Sequence, residues 1–115
     1  MNESKEKNRI AKRNRKRGKN TERAIAAILG VKPMGILGDM DIIWDGFSIE
    51  VKDRTRVRWR KYMDQSLRNC PTDKIPLLWV HEHNTNHKND LVCMLARDWL
   101  GINKKQNRGE NYVSS

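Results

Sequence analysis

Asp39–Asp53 reads DMDIIWDGFSIEVKD, and the middle of this stretch decides the fold. Asp45-Gly46 separates two strand-like runs, 39–44 and 47–53. An Asp-Gly pair so placed makes the two-residue turn of a β-hairpin, because both residues tolerate a positive φ. The turn length sets the register: Trp44 faces Phe47, Ile43 faces Ser48, Ile42 faces Ile49, Asp41 faces Glu50, and Asp39 faces Lys52. Side chains alternate along a strand, so Ser48, Glu50 and Lys52 share one face while Phe47, Ile49 and Val51 share the other.

Outward from the hairpin the pattern changes type. Thr21 to Leu29 carries Ile25, Ala26, Ile28 and Leu29 at helical spacing and stops at Gly30, a favourable residue beyond a helix end; its start is open, since the basic stretch before it could extend the helix. Arg58 to Asn69 repeats Trp59, Tyr62, Met63, Ser66 and Leu67 with a period near 3.6 and closes before Pro71, which predicts a second helix. Ile75 to His81 predicts a buried strand, Asp90 to Leu95 a fourth strand, and Ala96 to Leu100 a short closing helix. The order α, β, β, α, β, β, α predicts an α/β domain whose mixed β-sheet is flanked by helices.

A chain of 115 residues supports one modest core. Its 24 Lys and Arg against 14 Asp and Glu give a net charge of +10, which favours a polyanionic partner. The first twenty residues hold nine of the basic residues and two Glu, hence most of the surplus. So few apolar residues accompany them that 1–16 reads as a basic arm, mobile when free, ahead of a domain at 17–101 and a loose polar tail at 102–115. The arm lacks the interleaved Trp, Phe and Leu of a membrane-surface helix, and no run is long enough to span a bilayer. With no signal-peptide core and two cysteines, Cys70 and Cys93, the chain reads as cytoplasmic, with reduced thiols.

Asp41 opposite Glu50 carries a cost. Directly opposed residues of an antiparallel pair have Cβ atoms about 5 Å apart, and like charges there repel. A divalent cation between them would remove the repulsion, and so would truncation of either carboxylate. The oxygen-only donors favour Mg²⁺ or Mn²⁺ over Zn²⁺. Lys52, on the same face as Glu50, could hold a water or neutralise charge on a phosphate; it could equally pair with Asp39 on a solvated face. Glu22 lies three, four and seven residues before Ile25, Ala26 and Leu29, so it points along the apolar face toward the sheet, unless it is a helix-start Glu reaching solvent.

These residues resemble the PD-(D/E)XK nuclease superfamily, and within it the archaeal and phage type of Holliday junction resolvase. The resemblance rests on Arg17-Gly18-Lys19-Asn20-Thr21-Glu22-Arg23 opening a helix, Gly38-Asp39-Met40-Asp41-Ile42-Ile43 on a strand, and Ile49-Glu50-Val51-Lys52 on the next, and it covers roughly residues 17 to 80. It implies a restriction-endonuclease-like fold and a Mg²⁺-dependent endonuclease, with Mn²⁺ able to substitute. Asp41, Glu50 and the Val51 carbonyl would bind the metal, Lys52 would position the attacking water, and Glu22 would be the helix carboxylate, bound directly or through water. Met40 stands where the superfamily often has Pro. Asp39 could supply the acid instead of Asp41. Ser48 and Gln65 are lesser candidates. The resemblance further implies branched DNA as substrate, a homodimer with two sites for the two cuts of a four-way junction, and a prokaryotic or phage-infected cell as setting.

Arg54, Arg56, Arg58, Arg60 and Lys61 follow the E-V-K strand and suit a phosphate track; Arg13, Arg15, Lys16, Arg17 and Lys19 add a second basic element. His81, His83 and His87, with Cys93, have no standard zinc spacing and read as surface residues of a polar loop. Trp59, Trp79 and Trp99 read as core or as a dimer face, and Trp44 as more exposed. Two other functions compete: a less selective nuclease of the same fold, and a non-catalytic basic nucleic-acid-binding domain. If the basic arm lies on DNA, deleting residues 1–16 lowers affinity and flattens its salt dependence, because fewer counterions are released. An unchanged slope of log affinity against log salt would place the arm off the DNA.

Overall fold

The Asp45-Gly46 turn forms with φ of 49° and 83°, and the expected register follows: Trp44 pairs with Phe47, Ile43 with Ser48 and Ile42 with Ile49. The structure, a computed structural model, describes residues 2–32 and 41–110, with side chains over 3–32 and 41–104. Its elements are α1 (Asn2–Leu29), β1 (Ile42–Trp44), β2 (Phe47–Arg54), α2 (Trp59–Asn69), β3 (Ile75–Glu82), a 3-10 turn (His87–Asn89), β4 (Leu91–Cys93) and α3 (Ala96–Glu110). The four strands form one sheet in the order β1-β2-β3-β4, parallel between β2 and β3 and antiparallel at both edges. This is the mixed sheet flanked by helices that the order of elements predicts.

Each face of the sheet has its own helix. Ile25 and Ala26 of α1 bury against Ile42, Ile49, Val51 and Leu77, the face that strand alternation assigns to odd-numbered residues of β2. On the opposite face Met63 of α2 packs with Leu78 and Val80. The buried Ser66 hydroxyl donates to the Leu77 carbonyl at 2.8 Å, pinning α2 to β3. A parallel β2–β3 pair requires a crossover, and α2 supplies it.

Several boundaries differ from the sequence reading. The stretch read as a mobile arm continues α1 back to Asn2, since Lys and Arg are good helix formers, and Glu6 and Arg9 pair one turn apart. A helix of 28 residues is about 42 Å long, so its exposed basic half extends beyond the sheet and the molecule measures 69 × 28 × 27 Å. At the other end α3 passes through Gly101 to Glu110, so most of the stretch read as a loose tail is helical; 111–115 lie outside the described residues. β4 is shorter than read, because the Leu95 carbonyl already accepts from Asp98 and Trp99 to open α3. Trp44 packs against the α1-side core and stacks near Phe47, whereas Trp59 and Trp99 are exposed. Both cysteines are free thiols, and among the described residues no helix is long and apolar enough to cross a membrane.

One polar contact holds α1 in place. Asp53, at the end of β2, is 4 % exposed; its Oδ2 accepts from Thr21 Oγ1 at 2.6 Å, and its Oδ1 lies 3.5 Å from Arg17 Nε, close enough for charge attraction but outside hydrogen-bond geometry. Asp53→Ala would strand the Thr21 hydroxyl and remove the Arg17 counter-charge, costing about 2–3 kcal/mol. Urea unfolding of the variant checks this; a loss below about 0.5 kcal/mol would show that α1 is held by its apolar face alone.

Candidate active site

The β1–β2 ladder stops at Ile42–Ile49, so among the described residues the end of β2 from Glu50 onward has no strand beside it on that edge. Asp41, one residue before β1, fills the vacated position with its side chain. Its Oδ2 accepts from the Val51 amide at 2.6 Å, replacing a strand bond with a carboxylate bond. Asp41 therefore does not form a ladder pair with Glu50, yet it reaches the place that continued pairing would have given it. Asp39 lies outside the described residues.

Helix α1, packed on the other face, meets β2 here. A cleft of about 570 Å³ forms there, lined by Asn14, Arg15, Arg17, Gly18, Lys19 and Glu22 from α1, by Asp41, by Glu50, Val51, Lys52, Asp53 and Arg54 from β2, and by Gln65 from α2. The four residues expected to do chemistry, Glu22, Asp41, Glu50 and Lys52, all reach it. Gln65 also lines it, whereas Ser48 is buried in contact with Cys70 and is structural. The basic residues divide. Arg15, Arg17, Lys19 and Arg54 form its walls, Arg13 and Lys16 project from α1, and Arg56, Arg58, Arg60 and Lys61 are exposed outside it.

The carboxyl groups are removed from water to different degrees, Glu50 fully buried and Glu22 and Asp41 half-buried. Glu50 is 5 % exposed; burial and the neighbouring Asp41 push its carboxyl up to about 7, against the opposing pull of Lys52 and hydrogen bonds from Lys52 and Asn69. Glu22 rises to about 7 as well, through burial, the charge of Asp41, and a hydrogen bond it donates to Asp41 when protonated. Asp41 is also raised by burial, although the Val51 amide and Lys52 favour its ionised form. Lys52 Nζ stands 3.4 Å from Glu50 Oε1 and lies over the Tyr62 ring, 5.1 Å from its centroid. Lys52 thus favours the ionised forms of Asp41 and Glu50, and Lys19 does the same for Glu22.

Spacing on the hairpin brought out Asp41, Glu50 and Lys52, but gave no sign of Asp53 and Thr21 as the anchor of α1, nor of Tyr62 and Asn69 beneath the site. Those four look like ordinary strand and helix residues until the elements pack. Truncating Asp41, expected to relieve repulsion, also orphans the Val51 amide, a cost of about 1–3 kcal/mol that Asp41→Asn avoids.

A second group stands apart from the cleft. His81, His87 and Asp90 offer ligand atoms that all lie within 4.8 Å of one another and could hold a metal ion. The reading of the histidines as surface residues holds for His83, which is exposed, but not for His81, which is buried, or for His87, half-buried; Asp90 takes the place of His83 and Cys93 as the third member. Comparisons of the chain with models of known families, with curated proteins and with solved structures give no match.

A carboxyl group whose folded pKa lies above its unfolded value binds more protons in the folded state, so its stabilising contribution is complete below the unfolded pKa and is lost as pH rises through the folded one. For Glu22 and Glu50 that window runs from about 4.5 to about 7. In chelator, Glu50→Gln should therefore gain stability over the parent at pH 8 relative to pH 5, by on the order of 1–3 kcal/mol. Denaturant unfolding at the two pH values measures the difference, and an equal effect at both would show that Glu50 is not held up.

Proposed function

We propose that this chain is a metal-dependent DNA endonuclease of the PD-(D/E)XK type, acting on four-way junctions as a homodimer. The observation that carries the reading is the meeting of Glu22, Asp41, Glu50 and Lys52, brought from α1, the approach to β1, and β2, in one cleft walled by arginine and lysine. The donor set fits Mg²⁺, with Mn²⁺ as substitute. It is all oxygen, neither His nor Cys lines the cleft, and the carboxyl groups, raised first by burial and then by the charge of Asp41, are ones that a bound cation would draw into their ionised form. Asp41, Glu50 and the Val51 carbonyl would hold the ion, with Glu22 reaching it directly or through water.

When bound, the ion supplies Lewis-acid polarisation of the scissile phosphate and a water of lowered pKa. The chain's residues do the rest. Lys52, oriented by Glu50 and Tyr62, donates a hydrogen bond to the attacking water and keeps it in line with the phosphorus. Arg15, Arg17, Lys19 and Arg54 grip the flanking phosphates, and the exposed basic half of α1 extends the electrostatic track. The resemblance implies that hydrolysis leaves a 5′-phosphate. Pairing of two copies draws on the exposed apolar side chains Leu91 and Val92 on the edge strand β4 and Trp99 and Leu100 on α3, any of which a partner copy could cover. The natural setting would be the cytoplasm of a prokaryotic or phage-infected cell, where DNA is accessible and thiols stay reduced.

The test is cleavage of a labelled four-way junction beside linear duplex and single strand, in Mg²⁺ or chelator. The expected result is Mg²⁺-dependent paired nicking of the junction, with Lys52→Ala and Glu50→Gln slower by roughly 10²-fold or more. Lys52→Ala in Ca²⁺ should still prefer the junction to duplex, and the mass in solution should be that of a dimer. Cleavage of duplex and junction alike by a monomer would leave a general nuclease; full activity in either variant would remove the catalytic assignment.

A further inference from the structure

The connection from β3 to β4 is polar and mostly exposed from Glu82 to Asn89, with no apolar side chain to anchor it. What ties it down is Asp90. Its side chain is 1 % exposed; Oδ2 accepts from Trp79 Nε1 and lies 2.8 Å from His87 Nδ1, while Oδ1 lies 2.7 Å from His81 Nδ1. The two imidazoles face one another, with centroids 4.1 Å apart and planes inclined by 31°. None of these residues lines the cleft, and none has a role in the proposed reaction.

We propose that His81, His87 and Asp90 form a second metal site, for a borderline transition metal of the Zn²⁺ class, which clasps the β3–β4 connection onto the sheet. Two imidazole nitrogens and one carboxylate suit Zn²⁺, Co²⁺ or Ni²⁺ and disfavour Mg²⁺, the reverse of the oxygen-only cleft. Ligands on a tetrahedral ion with bonds near 2.0–2.1 Å lie about 3.3 Å apart, and the three ligand atoms already lie within 4.8 Å of one another, so they would re-space around the ion without any backbone element changing place. Each neutral imidazole would bind through Nδ1, its proton passing to Nε2, with no net change in its charge. Trp79, already donating to the carboxylate, would keep Asp90 oriented, as groups outside a metal's own ligands commonly do. His87, 31 % exposed, leaves that side open for a water as fourth ligand.

The site also has a structural consequence. His81 is the register partner of Asp53, the residue that anchors α1. A metal at His81 would stiffen the end of β3 beside that anchor, independently of whether the cleft is a nuclease.

The experiment uses the untagged full chain, stripped with chelator and titrated with Zn²⁺ by calorimetry and with Co²⁺ by visible absorption. The expected result is one equivalent bound in the presence of excess Mg²⁺, weakened at least tenfold in His87→Gln and retained in the Asp41→Asn, Glu50→Gln double variant. Nitrogen-detected imidazole spectra of the parent protein supply a check that needs no variant: Zn²⁺ should shift the ring signals of His81 and His87 and leave exposed His83 in place. No binding by the parent, binding unaffected by His87→Gln, or binding lost in the carboxylate double variant would each overturn the proposal, the last by placing the ion in the cleft.

Discussion

Where the Val51 amide finds its acceptor governs the rest of this molecule. On a regular hairpin it would bond to a neighbouring strand; here β1 ends at Ile42, and the carboxylate of Asp41 accepts instead. Among the described residues no strand lies beside this edge of β2, just where Glu50, Lys52 and Asp53 follow in succession. Helix α1 packs near it, so residues from opposite faces of the sheet line one cleft.

The charges at that edge then follow from burial. Burial is the largest cause of the raised pKa of each of the three carboxyl groups; the charge of Asp41 raises Glu22 and Glu50 further, Lys52 pulls Asp41 and Glu50 back and Lys19 pulls Glu22 back, and the protein retains the arrangement at a cost in stability. Such a cost is characteristic of sites that bind or react. Asp53 is buried nearby but sits in a different environment, with the Thr21 hydroxyl donating to it and Arg17 beside it. Neighbouring buried carboxylates thus differ by partner: Asp53 secures a helix, while Glu50 is left open toward the cleft.

Two clusters of opposite donor chemistry emerge on one small sheet. The cleft gathers oxygen donors with a lysine, and the β3–β4 connection gathers two imidazoles with one carboxylate. They share β2 and β3 through the Asp53–His81 pairing, yet their ligand types would sort cations between them without competition. The positive charge is distributed along the same axis. Arginine and lysine wall the cleft and continue along α1.

The sequence alone determined what short-range rules govern. Asp45-Gly46 dictated the hairpin and its register, period-2 alternation put Glu50 and Lys52 on one face, and helical spacing located Ile25 and Met63 in the two cores. It misjudged the ends of the chain, because low apolar content argued for disorder where the helix propensity of Lys and Arg carried α1 back to Asn2. What only tertiary structure decided were contacts between residues far apart in the chain: Thr21 with Asp53, Lys52 over Tyr62, and His81 with His87 through Asp90. Each is made by common residues at unremarkable spacings, and each exists because a strand ended, a crossover helix packed, or a loop folded back. Local periodicity carries no information about those events; the packing of faces does.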